Sequence, residues 1–143
     1  MVEFKEFVRR FGRLHTYATK QAQKILKENE RMVVDLQTGQ HHAGVNKLGE
    51  QMQSGYSKGY GVRRRKSGLQ TSFVDLHFTG KMHKGSKVLP VKGGVDIRSR
   101  EPYEHYVRAN FPKAWGMTGE NAEALAQLIA ERLARDIKQF LVA

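Results

Sequence analysis

The sequence predicts an α+β fold in which long N-terminal and C-terminal helices pack on a small antiparallel sheet, a hairpin plus one or two strands. Three observations carry this expectation. Apolar residues recur at spacings of three and four over residues 3–36 and again over 119–141, which is the helical period. Residues 71–79 alternate apolar and polar side chains, the period of a half-buried strand. Lys92-Gly93-Gly94 separates two short β-branched runs, as a hairpin turn does. At 143 residues the chain has the size of one domain. We read it as an N-terminal helix (1–36), a flexible basic loop region (37–69) and an α+β core that includes the C-terminal helix (70–143).

The first helix runs from Glu3 to about Leu36, with Phe4, Phe7, Val8, Phe11, Leu14, Ala18, Ala22, Ile25, Met32 and Val33 on its apolar face and a polar slip near Asn29. Glu3 and Glu6 stand at its positive end, where acids are favourable. Lys20, Lys24, Lys27, Glu28 and Glu30 form the wet face. The apolar face either covers the core or anchors its three Phe on a neighbouring subunit; both readings stay open. Residues 37–54 are polar and broken by Gly39, Gly44 and Gly49, the pattern of a loop. His41-His42 invites a metal reading, but adjacent histidines diverge on a helix or strand, and neither HExxH nor any cysteine is present. His15, His77, His83 and His105 have no ligand spacing. Surface histidines, with no metal, are expected.

Residues 55–69 carry Lys58 and the consecutive cations Arg63, Arg64, Arg65 and Lys66. Their glycines, with Tyr56 and Tyr60, argue against a long regular helix. Cations interleaved with rings suit phosphates and stacked bases; a run this short also suits protein docking. The segment is therefore expected to face a partner or DNA. In 71–79, Val74, Leu76 and Phe78 share one side and Phe73, Asp75 and His77 the other. Thr79 can cap a helical turn over 81–84, with Gly80 allowing close backbone approach. Residues 86–91 and 95–99 form the hairpin, and Pro90, which cannot donate to a ladder, argues for an edge. Residues 101–110 suit a short helix with Pro102 in its first turn and Tyr103, Tyr106 and Val107 on one face. Phe111-Pro112 ends it. Thr118 then caps the final helix, with Glu120 in the first turn.

Formal charge is +11, and the excess sits in residues 51–100, which hold 11 basic and 2 acidic groups. A field of that sign implies polyanion contact or a neutralising partner. The absence of cysteine excludes disulfides and thiolate chemistry. The N-terminus interleaves charges with apolar residues, unlike a secretory signal, and no apolar run approaches a membrane span. A chain made in the cytosol and remaining soluble is expected. No catalytic motif appears, and Asp75 with His77 lacks a nucleophile, so neither enzyme activity nor a cofactor is expected.

The string Gly55-Tyr56-Ser57…Tyr60, then Arg64-Arg65-Lys66-Ser67-Gly68-Leu69-Gln70-Thr71, then Val74-Asp75-Leu76-His77-Phe78-Thr79-Gly80 resembles small structural proteins from the tail and neck modules of bacteriophages and prophages, especially those of Bacteroidetes hosts. The stretch Phe111-Pro-Lys-Ala-Trp115-Gly116-Met117-Thr118-Gly-Glu120-Asn121 resembles their box opening the last helix, with Trp and Met where Phe and Leu are usual. More distantly, residues 79–107 are similar to tail-completion (neck) proteins of long-tailed phages, α+β folds that form rings between head connector and tail tube. The resemblance covers about residues 55–141 and implies structural roles for Asp75, Leu76, Thr79, Gly80, Trp115, Gly116, Thr118 and Asn121. It also implies a head–tail joining or tail-completion component of the virion, assembled in the host cytoplasm. Its partners would be copies of itself in a ring, neighbouring neck, connector or tail proteins, and DNA passing through the lumen, with no membrane. The alternative from the residues themselves is a nucleic-acid-binding protein using 58–66.

Overall fold

A computed structural model describes residues 2–52, 55–77 and 79–143. The chain runs α1 (Phe4–Phe11), α2 (Leu14–Glu28), α3 (Glu30–His42), α4 (Lys58–Lys66), α5 (Lys81–Lys84), β1 (Ser86–Val91), β2 (Gly94–Ser99), α6 (Glu104–Asn110) and α7 (Gly119–Val142). It is α+β, as expected. Among the described residues the sheet is the hairpin alone. Its strands pair from Ser86↔Ser99 to Val91↔Gly94, so the turn is Lys92-Gly93, with Gly93 at φ +76°.

The N-terminal helical stretch is cut twice, at Gly12-Arg13 and at the polar slip Asn29. It also extends six residues beyond its expected end. Gln37–His42, expected as loop, forms the last turns of α3, with Gln37, Gln40 and His41 buried. Their polarity misleads because their partners lie some 75 residues further on.

Helices α2 and α7 pack antiparallel. Tyr17 stacks on Phe140 with ring centroids 4.0 Å apart, and its hydroxyl donates to the Asp136 carbonyl; at the other end Glu28 pairs with Arg132. The hairpin lies against α2 and α3. The Gln23 amide donates to the carbonyls of Val91 and Gly94, both at 2.7 Å, and Glu30 accepts from the Val88 N–H at 3.0 Å. Val33, Val88 and Ile97 form the buried centre, with Leu26, Val34, Val95, Trp115, Met117 and Leu125 packed around it. α1 and α7 bury no residue completely, and Ala122 and Ala126 of α7 are exposed. The two terminal helices thus have one covered side each.

Candidate functional site

The basic segment, expected as loop, is a helix. Two glycines inside α4 each cost about 1 kcal/mol relative to alanine, and four cations in the last turn offset this against the negative end of the dipole. The stop is well built. Gly68 takes φ +74° and donates to the Arg65 carbonyl, while the Leu69 N–H donates to the Arg64 carbonyl, the paired bonds of a Schellman ending. Gly68, directly after the cations and Ser67, is the residue type such an ending needs, a signal the sequence reading passed over.

Arg64 does not face a partner. It is 1% exposed, pointing inward from α4 beside Gly61. Its Nη2 donates to both Asp75 carboxylate oxygens (3.0 and 3.2 Å), its Nε to the Gln70 carbonyl and its Nη1 to the His77 carbonyl. The guanidinium carbon sits 4.2 Å from the Tyr56 ring centre. Asp75 in turn accepts from the Tyr56 hydroxyl (2.8 Å), the Gln70 amide (2.8 Å) and the His77 N–H (3.0 Å). Burial pushes the Asp75 carboxyl up, but these donors and the Arg64 charge together hold it below the usual carboxylate range. Burial, with the Asp75 carboxylate alongside, pushes the Tyr56 phenol up to about 12. Asp75 is therefore a buried anchor.

This knot explains why residues 71–79 are not a strand. The N–H groups of Ser72 and Phe73 go to the Gln70 side chain and that of His77 goes to Asp75, while Arg64 takes the Gln70 and His77 carbonyls. Backbone groups so satisfied need no ladder partner. Leu76, at φ +52°, breaks the pleat outright. Phe78, assigned to the apolar side of that strand, lies outside the described residues.

Lys58, Arg63, Arg65 and Lys66 are exposed on α4. Between α4, α5 and α6 lies a groove of about 640 Å³ whose walls include Tyr56, Tyr60, Tyr103, Tyr106, Val107 and Phe111. Thr79 is exposed at its rim and accepts from the Lys81 N–H (3.4 Å); Gly80, at φ +81°, opens α5. The Trp115 box is held by two glutamines of α3. Gln37 accepts from the Gly116 N–H (2.9 Å) and donates to the Ala114 carbonyl (3.2 Å). Gln40 donates to the Gly116 carbonyl (2.8 Å) and accepts from the Thr118 N–H (3.0 Å) and the Asn121 amide (3.2 Å). Thr118 caps α7 by accepting from the Asn121 N–H (3.3 Å). The Arg108 guanidinium lies over the Trp115 ring at 4.4 Å. Trp115, Gly116, Thr118 and Asn121 are thus brought together; Asp75 and Leu76 belong to the separate Arg64 knot.

The histidines overturn the expectation of scattered surface positions. His41 and His83 are buried, and His42, His77 and His83 gather around one point. His41 and His42 do diverge, His41 inward to the Ala114 carbonyl (2.9 Å) and His42 toward the rings of His77 and His83. Burial, with the neighbouring His41, His42 and His77, pushes His83 down to about 3. Burial lowers His41 to about 4. Spacing could not reveal this cluster, because α3, the knotted loop and α5 each contribute one residue. No protein-family model matches the chain, and neither a curated protein nor a solved structure does.

Proposed function

We propose that the chain is a head–tail joining or tail-completion component of a phage virion, which associates with copies of itself in a ring and works by docking rather than catalysis. The motif string of residues 55–121 suggests the class. The observation that carries self-association is the outer face of α1, where Phe4, Val8 and Phe11 are 82%, 52% and 58% exposed. Spaced four and three apart they form one stripe, an arrangement that monomeric surfaces seldom leave uncovered. Among the described residues no helix is long and apolar enough to cross a membrane, and a second copy of the chain is the occupant we assign to the stripe. The exposed cations of α4 would face a neighbouring protein or the lumen.

Native mass spectrometry of the purified chain tests the association. A closed oligomer is expected, and Phe4→Ser with Phe11→Ser should return it to a monomer with the circular dichroism of the wild type and a melting temperature that no longer depends on protein concentration. A wild-type chain that stays monomeric at high concentration refutes the stripe as an interface. Particles assembled without this chain test the wider role: full heads separate from tails, or tails of uncontrolled length, support it, and intact infectious virions refute it. The nucleic-acid alternative loses two of its residues to the fold, since Arg64 is buried and Tyr56 is committed to Arg64 and Asp75. Its own test is binding of single-stranded DNA that weakens steeply as salt rises.

A further inference from the structure

His42, His77 and His83 each offer a ring nitrogen, and these three atoms lie within 4.8 Å of one another. Three neutral imidazoles are a donor set for a borderline divalent transition ion such as zinc, which binds His nitrogen at about 2.0–2.1 Å. Three nitrogens on such an ion stand about 3.4 Å apart by tetrahedral geometry at that bond length. Closing the set therefore needs a shift of about an ångström or so, and His42, the exposed member, is placed to make it.

The protonation pattern is the second and independent observation. The Ala114 carbonyl can only accept, so we assign the proton to the His41 Nε2 that meets it at 2.9 Å; the Gln37 amide nitrogen, 3.1 Å from that Nε2, then gives its hydrogen to the same carbonyl oxygen rather than to the ring. The His41 Nδ1 is then an acceptor, and the His83 Nε2, 3.0 Å away, must be the donor. That leaves the His83 Nδ1 as a bare lone pair. It is buried and without a hydrogen-bond partner among the described residues, and so is the His77 Nδ1. Buried nitrogens that no group satisfies are rare. A ligating histidine whose other nitrogen donates to a fixed acceptor is the usual way a metal site orients its rings. Here the backbone carbonyl of residue 114 sets the tautomer of His41, and His41 sets that of His83.

We propose that His42, His77 and His83 bind one zinc-class divalent ion that staples α3, the knotted loop and α5 together, with His41 as the positioning residue behind His83. The fourth coordination position is left to water or to a side chain of a neighbouring molecule. The site is structural: among the described residues Asp75, the nearby carboxylate, is spent on Arg64, Tyr56 and Gln70. The proposal stands whether or not the chain is a virion component.

The test uses the full chain, without a histidine tag and stripped by a chelator, titrated calorimetrically with zinc at neutral pH. A parallel titration with cobalt(II) reads the visible ligand-field bands. One equivalent of zinc should bind, cobalt bands of a low-coordinate site should appear, and the melting temperature should rise with zinc. His42→Ala changes an exposed side chain and should keep the circular dichroism of the wild type. It should weaken binding by about two orders of magnitude or more, since loss of even an outer-shell partner costs about 10–100-fold. His77→Gln is the second variant and should behave alike, while His15→Ala and His105→Ala, both at exposed positions, should bind as the wild type does. No saturable binding, or binding that survives both His42→Ala and His77→Gln, overturns the site.

Discussion

Arg64→Ala takes one partner from a buried ion pair and leaves the other where it was. Asp75 would keep its bonds from Tyr56, Gln70 and the His77 N–H but lose the charge that the guanidinium supplies through Nη2. The carbonyls of Gln70 and His77 would each lose a donor. Breaking a buried pair this way costs about 3–5 kcal/mol, and the orphaned carbonyls place the loss toward the upper half of that range. For a domain of this length a kcal/mol moves the melting temperature by about 2–4 °C, so Arg64→Ala should melt about 8–20 °C lower. Arg65→Ala, one residue along the same run but exposed, should stay within about 0.5 kcal/mol of the wild type. Arg64→Lys keeps the charge but not the fork that reaches one carboxylate and two carbonyls, and should recover little of the loss. The assay is thermal and urea unfolding followed by circular dichroism, with the m-value checked for constancy. An Arg64→Ala chain that melts within about 2 °C of the wild type would refute the reading of Arg64 as a structural anchor and return it to the docking surface.

Two glycines with positive φ should respond differently to alanine. At Gly68 (φ +74°) a Cβ meets nothing within 4 Å, so the substitution costs only the left-handed penalty of about 1–2 kcal/mol. At Gly116 (φ +124°) the Cβ would also stand 3.1 Å from the Lys47 side chain, and the larger loss of stability should be seen there. Thr118→Ala removes the α7 cap and should cost about 1 kcal/mol, read as a small drop in the urea midpoint. Tyr56 gives a pH signature. Its folded pKa of about 12 lies above the unfolded value of 10.0, so the stability it contributes is present below pH 10 and is lost as pH rises toward 12. Absorbance titration of the 5 tyrosines should show a late phase; Tyr103 is also raised, but the latest component should vanish in Tyr56→Phe. A titration unchanged by that substitution would contradict the bond of this half-buried phenol to Asp75.

Elements whose logic is local were legible in the sequence, and elements whose logic is remote were not. The clean apolar period of α7, the Thr118 cap and the Lys92-Gly93 turn each carry their reason within a few residues. Gln37, Gln40 and His41 look like loop because the backbone they satisfy, residues 114–118, lies far along the chain. Residues 71–79 misled in another way. Their alternation is that of a strand, yet Gln70 and Asp75 side chains satisfy the backbone bonds a ladder would have made. The four cations were indistinguishable by composition, and only the position of Asp75 selects Arg64. Of the basic segment, the sequence showed the cations but not which of them face outward. The histidine cluster was invisible because three separate elements supply it.

The pairing of α2 with α7 has a consequence for how the chain emerges from the ribosome. Tyr17 waits for Asp136 and Glu28 for Arg132, separations of 119 and 104 residues. At about 5–20 residues per second the N-terminal helices are exposed for on the order of 5–20 s before their cover is made. The hairpin and the knot between Tyr56 and His77 close over far shorter spans and can form in that interval, since local contacts cost less loop entropy. During it the apolar sides of α1 and α2 are open to other nascent chains on the same message. Crowded translation would therefore favour meetings between copies before each has finished folding.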